Sequence, residues 1–405
     1  MNLSFVCSEY PPGPHGGIGS VVETLARSLV KMGHQVRVIG SYPANSPSAD
    51  YEEVSGVRVW RLREPSHRFG WVRSRRRLFK ILSDWCAKDE VDLIEVPDFH
   101  GPAAFWTRLT VPVVTRLHGS ASYFAKEMGQ TPERVTYALE KRSLRRADFT
   151  CSVSQYAYDR TVALFNLRAG ADVIYNPVEL FLCVPMARRD RNRVVFTGTL
   201  TVKKGIVSLI KAWPRVKQLC ESAELDIFGK DGKTDSGESM KKHLVSLLGD
   251  DQSSGVRLHG HVSREQVVAA LKNARLAVFP SYAESFGLAP VEAMAQGCPT
   301  IYTQRPPGPE IMRNRVDGLM VEPDKPAEIA DAIVSLLKND QLAESLGAAG
   351  YKRAKEMFSL EAVIPQNEAF YLRCIDEFRF AGDQILRSSV RREAAAGAVG
   401  SVDGC

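Results

Sequence analysis

Twelve short runs rich in β-branched residues recur along this chain, each followed by a longer stretch of helical pattern. That alternation restricts the fold more than any other feature. The first half carries "LSFVC", "QVRVIG", "VRVWRL", "VDLIEV", "VPVVTRL", "DFTCSVS" and "DVIYN"; the second carries "RVVFTG", "ELDIFG", "VRLHG", "RLAVFP" and "PTIYT". Continuous apolar runs separated by helices argue for parallel strands covered on both faces, the α/β class. Twelve strands are too many for one small core, and 405 residues suffice for two domains. Two doubly wound, Rossmann-like domains are therefore expected, 1–180 and 193–365. The boundary falls in the stretch Asn176 to Arg193, where two prolines and a charged patch precede a new strand. After it, 366–386 reads as a terminal helix near Pro365. Residues 387–405 have little to bury and are expected as a disordered tail.

Charge excludes some partners. Lys+Arg number 53 and Asp+Glu 47, giving +6, too little to argue for nucleic acid. The eight cysteines form no C-x-x-C pair, so a zinc site is not expected. No apolar run approaches the roughly 20 residues of a membrane helix and no leader segment is visible, so a cytoplasmic location is expected. The stretch 68–85, "RFGWVRSRRRLFKILSDW", mixes six cations with aromatic residues, and Trp71, Leu78 and Trp85 repeat at seven residues. A surface helix with a solvated basic face and a peripheral contact with anionic membrane are both open readings of it.

In open parallel sheets, ligands bind beyond the carboxyl ends of the strands, so residues just after each run are the candidates. After the first comes "SEYPPGPHGGIGSVVETLARSL". Gly16 and Gly17 permit close backbone approach, Ser20 and Glu23 fit a capping box, and a glycine loop feeding a helix start can bind an anion. A plain strand-to-helix turn is the competing reading. His118-Gly119 follows "VPVVTRL", where a structural histidine is the alternative. Lys203 and Lys204 precede Gly205 at a helix start, a point charge suited to phosphate. His259 and His261 are not read as a metal pair.

The stretch "AVFPSYAESFGLAPVEAMAQG" places Glu284 in the loop after a strand and Glu292 in the helix that follows. Buried carboxylates are costly without partners. A helix N-terminus would favour both, and the hydroxyls of a ligand would supply the rest.

These residues resemble the retaining GT-B glycosyltransferases of family 4, the group 1 glycosyltransferases. Glu284 through Glu292 is similar to their E-x7-E signature. The Gly16–Gly17 loop, His118-Gly119, "RRADFTCSVS", "VIYNPVE" and "GPEIMRNRVDGLMVEP" follow in the family's order over roughly residues 1–380. The resemblance implies two Rossmann-like domains facing each other across a cleft. It implies transfer of a hexosyl group from a nucleoside diphosphate sugar to an acceptor hydroxyl with retention, in polysaccharide or glycolipid biosynthesis, without a metal cofactor. Glu292 would hold the ribose and Val262 would lie at the base. Glu284, with the backbone of Phe286, Gly287 and Leu288, would hold the donor sugar and diphosphate. Lys204 and the Gly16 and Gly17 amides would neutralise the leaving group, and His118 would contact the sugar. No acidic residue adjoins Val262, which favours a UDP-sugar. Where the family carries an arginine this chain has Thr199, and Lys203 is the expected substitute. That departure keeps a degenerate partner subunit open as an alternative, beside a nucleotide-sugar epimerase.

Overall fold

A computed structural model describes residues 1–399 except 14–15, 47, 65–69, 168–169, 182–184 and 250–254. Arg68 and Phe69, the first residues of the basic stretch, lie outside the described residues, as do 400–405.

The chain builds two sheets. The first comprises β1 (Asn2–Val6), β2 (Gln35–Tyr42), β3 (Tyr51–Val54), β4 (Val57–Arg63), β5 (Leu93–Pro97), β6 (Val113–Leu117), β7 (Phe149–Ser152) and β8 (Asp172–Val173), in the order β3-β4-β2-β1-β5-β6-β7-β8. The second comprises β9 (Asp190–Thr197), β10 (Glu224–Phe228), β11 (Val256–Gly260), β12 (Ala274–Phe279), β13 (Thr300–Thr303) and β14 (Leu319–Val321), in the order β11-β10-β9-β12-β13-β14. Every pairing is parallel except that of β3 with β4. The order reverses beside β1 and beside β9, as in doubly wound sheets.

Two strands escaped the sequence pattern. β3 alternates exposed and half-buried positions at a sheet edge, so it lacks an apolar run, and the positive-φ pair Ser55-Gly56 turns it back onto β4. β14 has three residues, "LMV", too short a run to stand out as a strand.

The long C-terminal helix spans Leu360–Val399. Pro365 falls inside it and does not divide it, and the helix continues past 386 into the segment expected as a tail. Its Val363, Phe370, Tyr371 and Cys374 are buried against Leu3, Phe5, Val38 and Val114 of the first sheet. The chain's end therefore closes the core of its beginning. A buried network fixes this join: Arg116 on β6 donates to both oxygens of Glu95 at 2.8 and 2.9 Å and to Asn367 Oδ1 at 2.7 Å, and Tyr371 Oη donates to Glu95 at 2.6 Å.

The basic helix spans Gly70–Ala87. Its Leu78, Leu82 and Cys86 are buried in the first lobe, and Trp85 packs on Trp60 at 4.8 Å. Of the seven-residue apolar repeat, Leu78 and Trp85 are thus spent on the core, while Trp71 packs beside the exposed Phe105. Arg73, Arg76, Arg77 and Lys80 line the opposite, exposed face. Among the described residues no helix is long and apolar enough to cross a membrane.

Candidate active site between the lobes

The carboxyl ends of β6, β9 and β12 converge. Beyond β9, Lys204 sits in a short 3-10 turn, Val202–Lys204, and Gly205 at φ 70° leads into helix Ile206–Leu219. A side chain at Gly205 is impossible because its Cβ would lie 1.7 Å from Pro280 O, just past β12. That close approach brings the two loops together. Lys204 Nζ donates to both oxygens of Glu284, at 2.7 and 2.9 Å, and Ser281 Oγ donates to one of them at 2.9 Å. Sequence reasoning gave these two residues separate jobs on one ligand. In the structure each is first the other's partner, which removes most of the cost of burying Glu284.

Glu292 has no such partner. It was expected near a helix start, but its helix is only Leu288–Met294, and Glu292 is its fifth residue, past the turn where the dipole favours a negative charge. No hydrogen bond reaches its carboxylate among the described residues, and burial pushes its pKa up to about 7, against a lowering effect of Arg264. Val262 follows β11 in the same lobe and is half-buried.

From the other lobe, His118 follows β6 and is buried. Its neutral ring is enforced: burial, then the charge of Arg116, lowers its pKa to about 3. Two carboxylates that sequence reasoning missed hold its loop. Asp98, wholly buried at the end of β5, accepts the His118 N–H at 3.0 Å and the Gly119 N–H at 3.2 Å. Burial raises its pKa to about 8. Glu140, also wholly buried, accepts the Ala121 and Ser122 N–H groups at 2.9 and 3.1 Å, capping helix Ala121–Glu127. Asp98 could have been found by the strand-end rule that found His118. Glu140 gives no such signal, because it lies inside a helix.

The lobes touch at the acidic loop. Gly119, at φ +89°, faces Ser285, whose Cβ is 3.0 Å from where a Gly119 Cβ would sit. Tyr123 Oη donates to Glu284 O at 2.8 Å, and Ser154 Oγ to Ser285 O at 2.6 Å. Glu310 from the second lobe accepts the Gln155 and Tyr156 N–H groups at 2.7 and 3.1 Å. Lys203, expected to replace the missing arginine, instead lies over the ring of Phe124 at 3.7 Å. Burial, then the neighbouring Lys204, lowers its pKa to about 8.

The glycine loop is arranged differently from expectation. Helix Gly17–Lys31 starts at Gly17 with Gly16 as N-cap, and no side-chain cap is present. Ser20 donates back to Gly16 O at 3.2 Å, so the expected capping box does not form. Glu9 takes that place: its carboxylate accepts the Gly19 N–H at 2.8 Å and would lie 3.1 Å from a Cβ on Gly16. The anion at this helix start is the chain's own. Gly33, at φ 90°, follows the end of the helix.

Among the described residues no group of three or more His, Cys, Asp or Glu could hold a metal ion. His259 is bonded to Asp226 at 2.7 Å and stacked on Phe228.

Two lobes of parallel sheet with charged loops meeting between them are the architecture of the GT-B glycosyltransferases. Comparison with known proteins agrees. The family described as "Glycosyl transferases group 1" matches residues 185–353, and "Glycosyltransferase Family 4" matches residues 15–180. Together these cover most of the chain, and the protein belongs to this family. Among its relatives, "Glycogen synthase" of Mycobacterium tuberculosis is 28% identical over 403 residues, covering 92% of this chain and 94% of that one. "MMP alpha-(1->4)-mannosyltransferase" of Mycolicibacterium hassiacum is 25% identical, covering 89% and 95%. Sucrose-phosphate synthase from Thermosynechococcus elongatus superposes with a TM-score of 0.75 at 21% identity, covering 93% of this chain and 99% of that one. The Anabaena HepE structure in complex with UDP and glucose superposes with a TM-score of 0.71 at 17% identity, covering 91% and 99%. The protein is a glycosyltransferase.

Proposed function

We propose that this enzyme transfers a hexosyl group from a nucleoside diphosphate sugar, a UDP-sugar by preference, to an acceptor hydroxyl with retention of configuration. The observation that carries the reading is the meeting of Lys204, Glu284 and the His118 loop where the two lobes touch. HepE, a neighbour in fold, binds UDP and glucose. Relatives named for glycogen synthesis and for mannosyl transfer to phosphatidyl-myo-inositol support a polysaccharide or glycolipid product.

In this reading the nucleotide lies on the second lobe. The Glu292 carboxylate accepts the ribose hydroxyls, and Val262 borders the base. Glu284 and the amides of Phe286, Gly287 and Leu288 hold the sugar and diphosphate. Lys204 neutralises the charge that develops as the anomeric C–O bond breaks. The acceptor oxygen attacks that carbon from the leaving-group face, and its proton passes to the departing diphosphate. His118, held neutral, hydrogen-bonds the sugar as a positioned polar group. Gly16 and Gly17 reach the diphosphate only if Glu9 withdraws from the helix start. The exposed row Arg73, Arg76, Arg77 and Lys80 suits an anionic membrane surface, contacted peripherally by charge alone.

Incubation with a panel of UDP- and GDP-sugars tests the reading. Release of nucleoside diphosphate from at least one donor, abolished in Glu284→Gln, is expected. Absence of turnover together with absence of nucleotide binding would favour a non-catalytic partner subunit.

A further inference from the structure

We infer that Tyr123 and Ser154, two hydroxyl side chains of the first lobe, are positioning residues that set the diphosphate-binding backbone of the second. The inference rests on the proposed role of the loop 284–288.

Three successive carbonyls of that loop each accept a buried hydroxyl. Tyr123 Oη meets Glu284 O at 2.8 Å, Ser154 Oγ meets Ser285 O at 2.6 Å, and Tyr302 Oη meets Phe286 O at 3.3 Å. Tyr123 is 1% exposed, and Ser154 and Tyr302 are 0% exposed. Neither phenol is an accidental donor, since burial holds both pKa values above the ordinary tyrosine value. The peptide bonds here are trans, and in a trans peptide the N–H points opposite the C=O. Fixing the carbonyls of 284, 285 and 286 therefore turns the N–H groups of Ser285, Phe286 and Gly287 to the other side. Among the described residues no protein acceptor meets those N–H groups or that of Leu288. A run of free amides ending in Gly287 at φ +95° is the backbone arrangement that binds anionic oxygens. Tyr302 fixes the end of the run closely enough that a Cβ on Gly287 would lie 2.1 Å from its Oη.

The origin of the pins matters. Tyr302 belongs to the second lobe, but Tyr123 lies on the helix that follows His118, and Ser154 caps helix Gln155–Phe165 by accepting the Ala157 N–H at 3.0 Å. Separation of the lobes would free the carbonyls of Glu284 and Ser285 while leaving Glu292 untouched. The nucleoside part of the donor site is then built by one lobe, and the diphosphate part needs both.

The test measures affinity for uridine and UDP, and for guanosine and GDP, on the full chain carrying Tyr123→Phe, Ser154→Ala or Ser154→Thr. Tyr123→Phe should weaken the nucleoside diphosphate by about 10-fold, of the order of one net hydrogen bond. The bare nucleoside should bind as to wild type. Ser154→Ala should act alike, and Ser154→Thr, which keeps a hydroxyl, should restore binding. Unchanged diphosphate affinity in Tyr123→Phe and Ser154→Ala overturns the inference. Equal losses for nucleoside and diphosphate also overturn it, because they mark a role in folding alone. If wild type binds neither UDP nor GDP, the donor-site reading itself fails first.

Discussion

The Lys204–Glu284 pair permits a quantitative test. Replacing Lys204 by methionine keeps the stem and removes the ammonium, leaving Glu284 with Ser281 as its one remaining side-chain donor among the described residues. Breaking a buried pair typically costs about 3–5 kcal/mol. Lys204 is 26% exposed and Glu284 8%, so water reaches one end of the pair and the cost falls to about 2 kcal/mol. Glu284→Gln leaves the lysine, which rehydrates more easily, and costs about 1 kcal/mol. The double variant leaves neither charge buried alone, so its stability should lie close to that of Glu284→Gln, a coupling of about 2 kcal/mol. In thermal unfolding near neutral pH, Lys204→Met should melt roughly 2–3 °C below wild type, as the unfolding entropy of a chain this long implies, and the double variant should regain about half of that. Transfer should be lost in all three, since the double variant restores no cation beside the leaving group. Losses that add within about 0.5 kcal/mol would refute the pairing. Recovery of transfer along with stability would refute the role of Lys204 in the chemistry.

Other consequences follow from burial and backbone geometry. Glu292 titrates near pH 7 when folded, against an ordinary value of 4.5, so the folded chain binds a proton in this window that the unfolded chain does not. Stability should therefore fall as pH rises from 4.5 through about 7, and Glu292→Gln should flatten that slope in urea titrations. His118, with its pKa lowered to about 3, should show no ring titration between about pH 5 and pH 8 by NMR, a range in which free histidine changes charge; a midpoint near 6.5 would contradict its burial. His118→Ala should leave nucleoside diphosphate affinity unchanged while transfer falls roughly 10²–10³-fold; equal loss of both would move His118 out of the reaction centre. Reversing the charges of Arg73, Arg76, Arg77 and Lys80 should abolish any salt-sensitive binding to anionic vesicles, each contributing about 1 kcal/mol; binding that survives the reversal would exclude this face.

Much of the site was legible because of where its residues stand in the chain. His118, Lys204 and Glu284 all follow buried strands, and parallel sheets place such positions along one edge. Helix starts were less legible. The turn at Gly16 could be read as an anion site, but Glu9, which fills it, is ten residues from the Gly19 amide it accepts and carries no pattern of its own. The seven-residue repeat of Trp71, Leu78 and Trp85 showed that the basic helix has an apolar side. It did not show that the first lobe already covers Leu78 and Trp85 of that side.

The sequence by itself determined the α/β alternation, the two-domain organisation and the strand-end positions, because period, turn residues and apolar runs are local and repeat along the chain. Only the tertiary structure decided what each charged group meets. Lys204 and Glu284 lie 80 residues apart, Tyr123 and Glu284 161, and Arg116 and Tyr371 255. Hydrogen bonds at such separations depend on how two sheets and a returning helix pack, and packing is a property of whole surfaces that no stretch of residues records. Whether a carboxylate in this loop and helix is paired, as Glu284 is, or without a protein hydrogen bond among the described residues, as Glu292 is, follows from that packing alone.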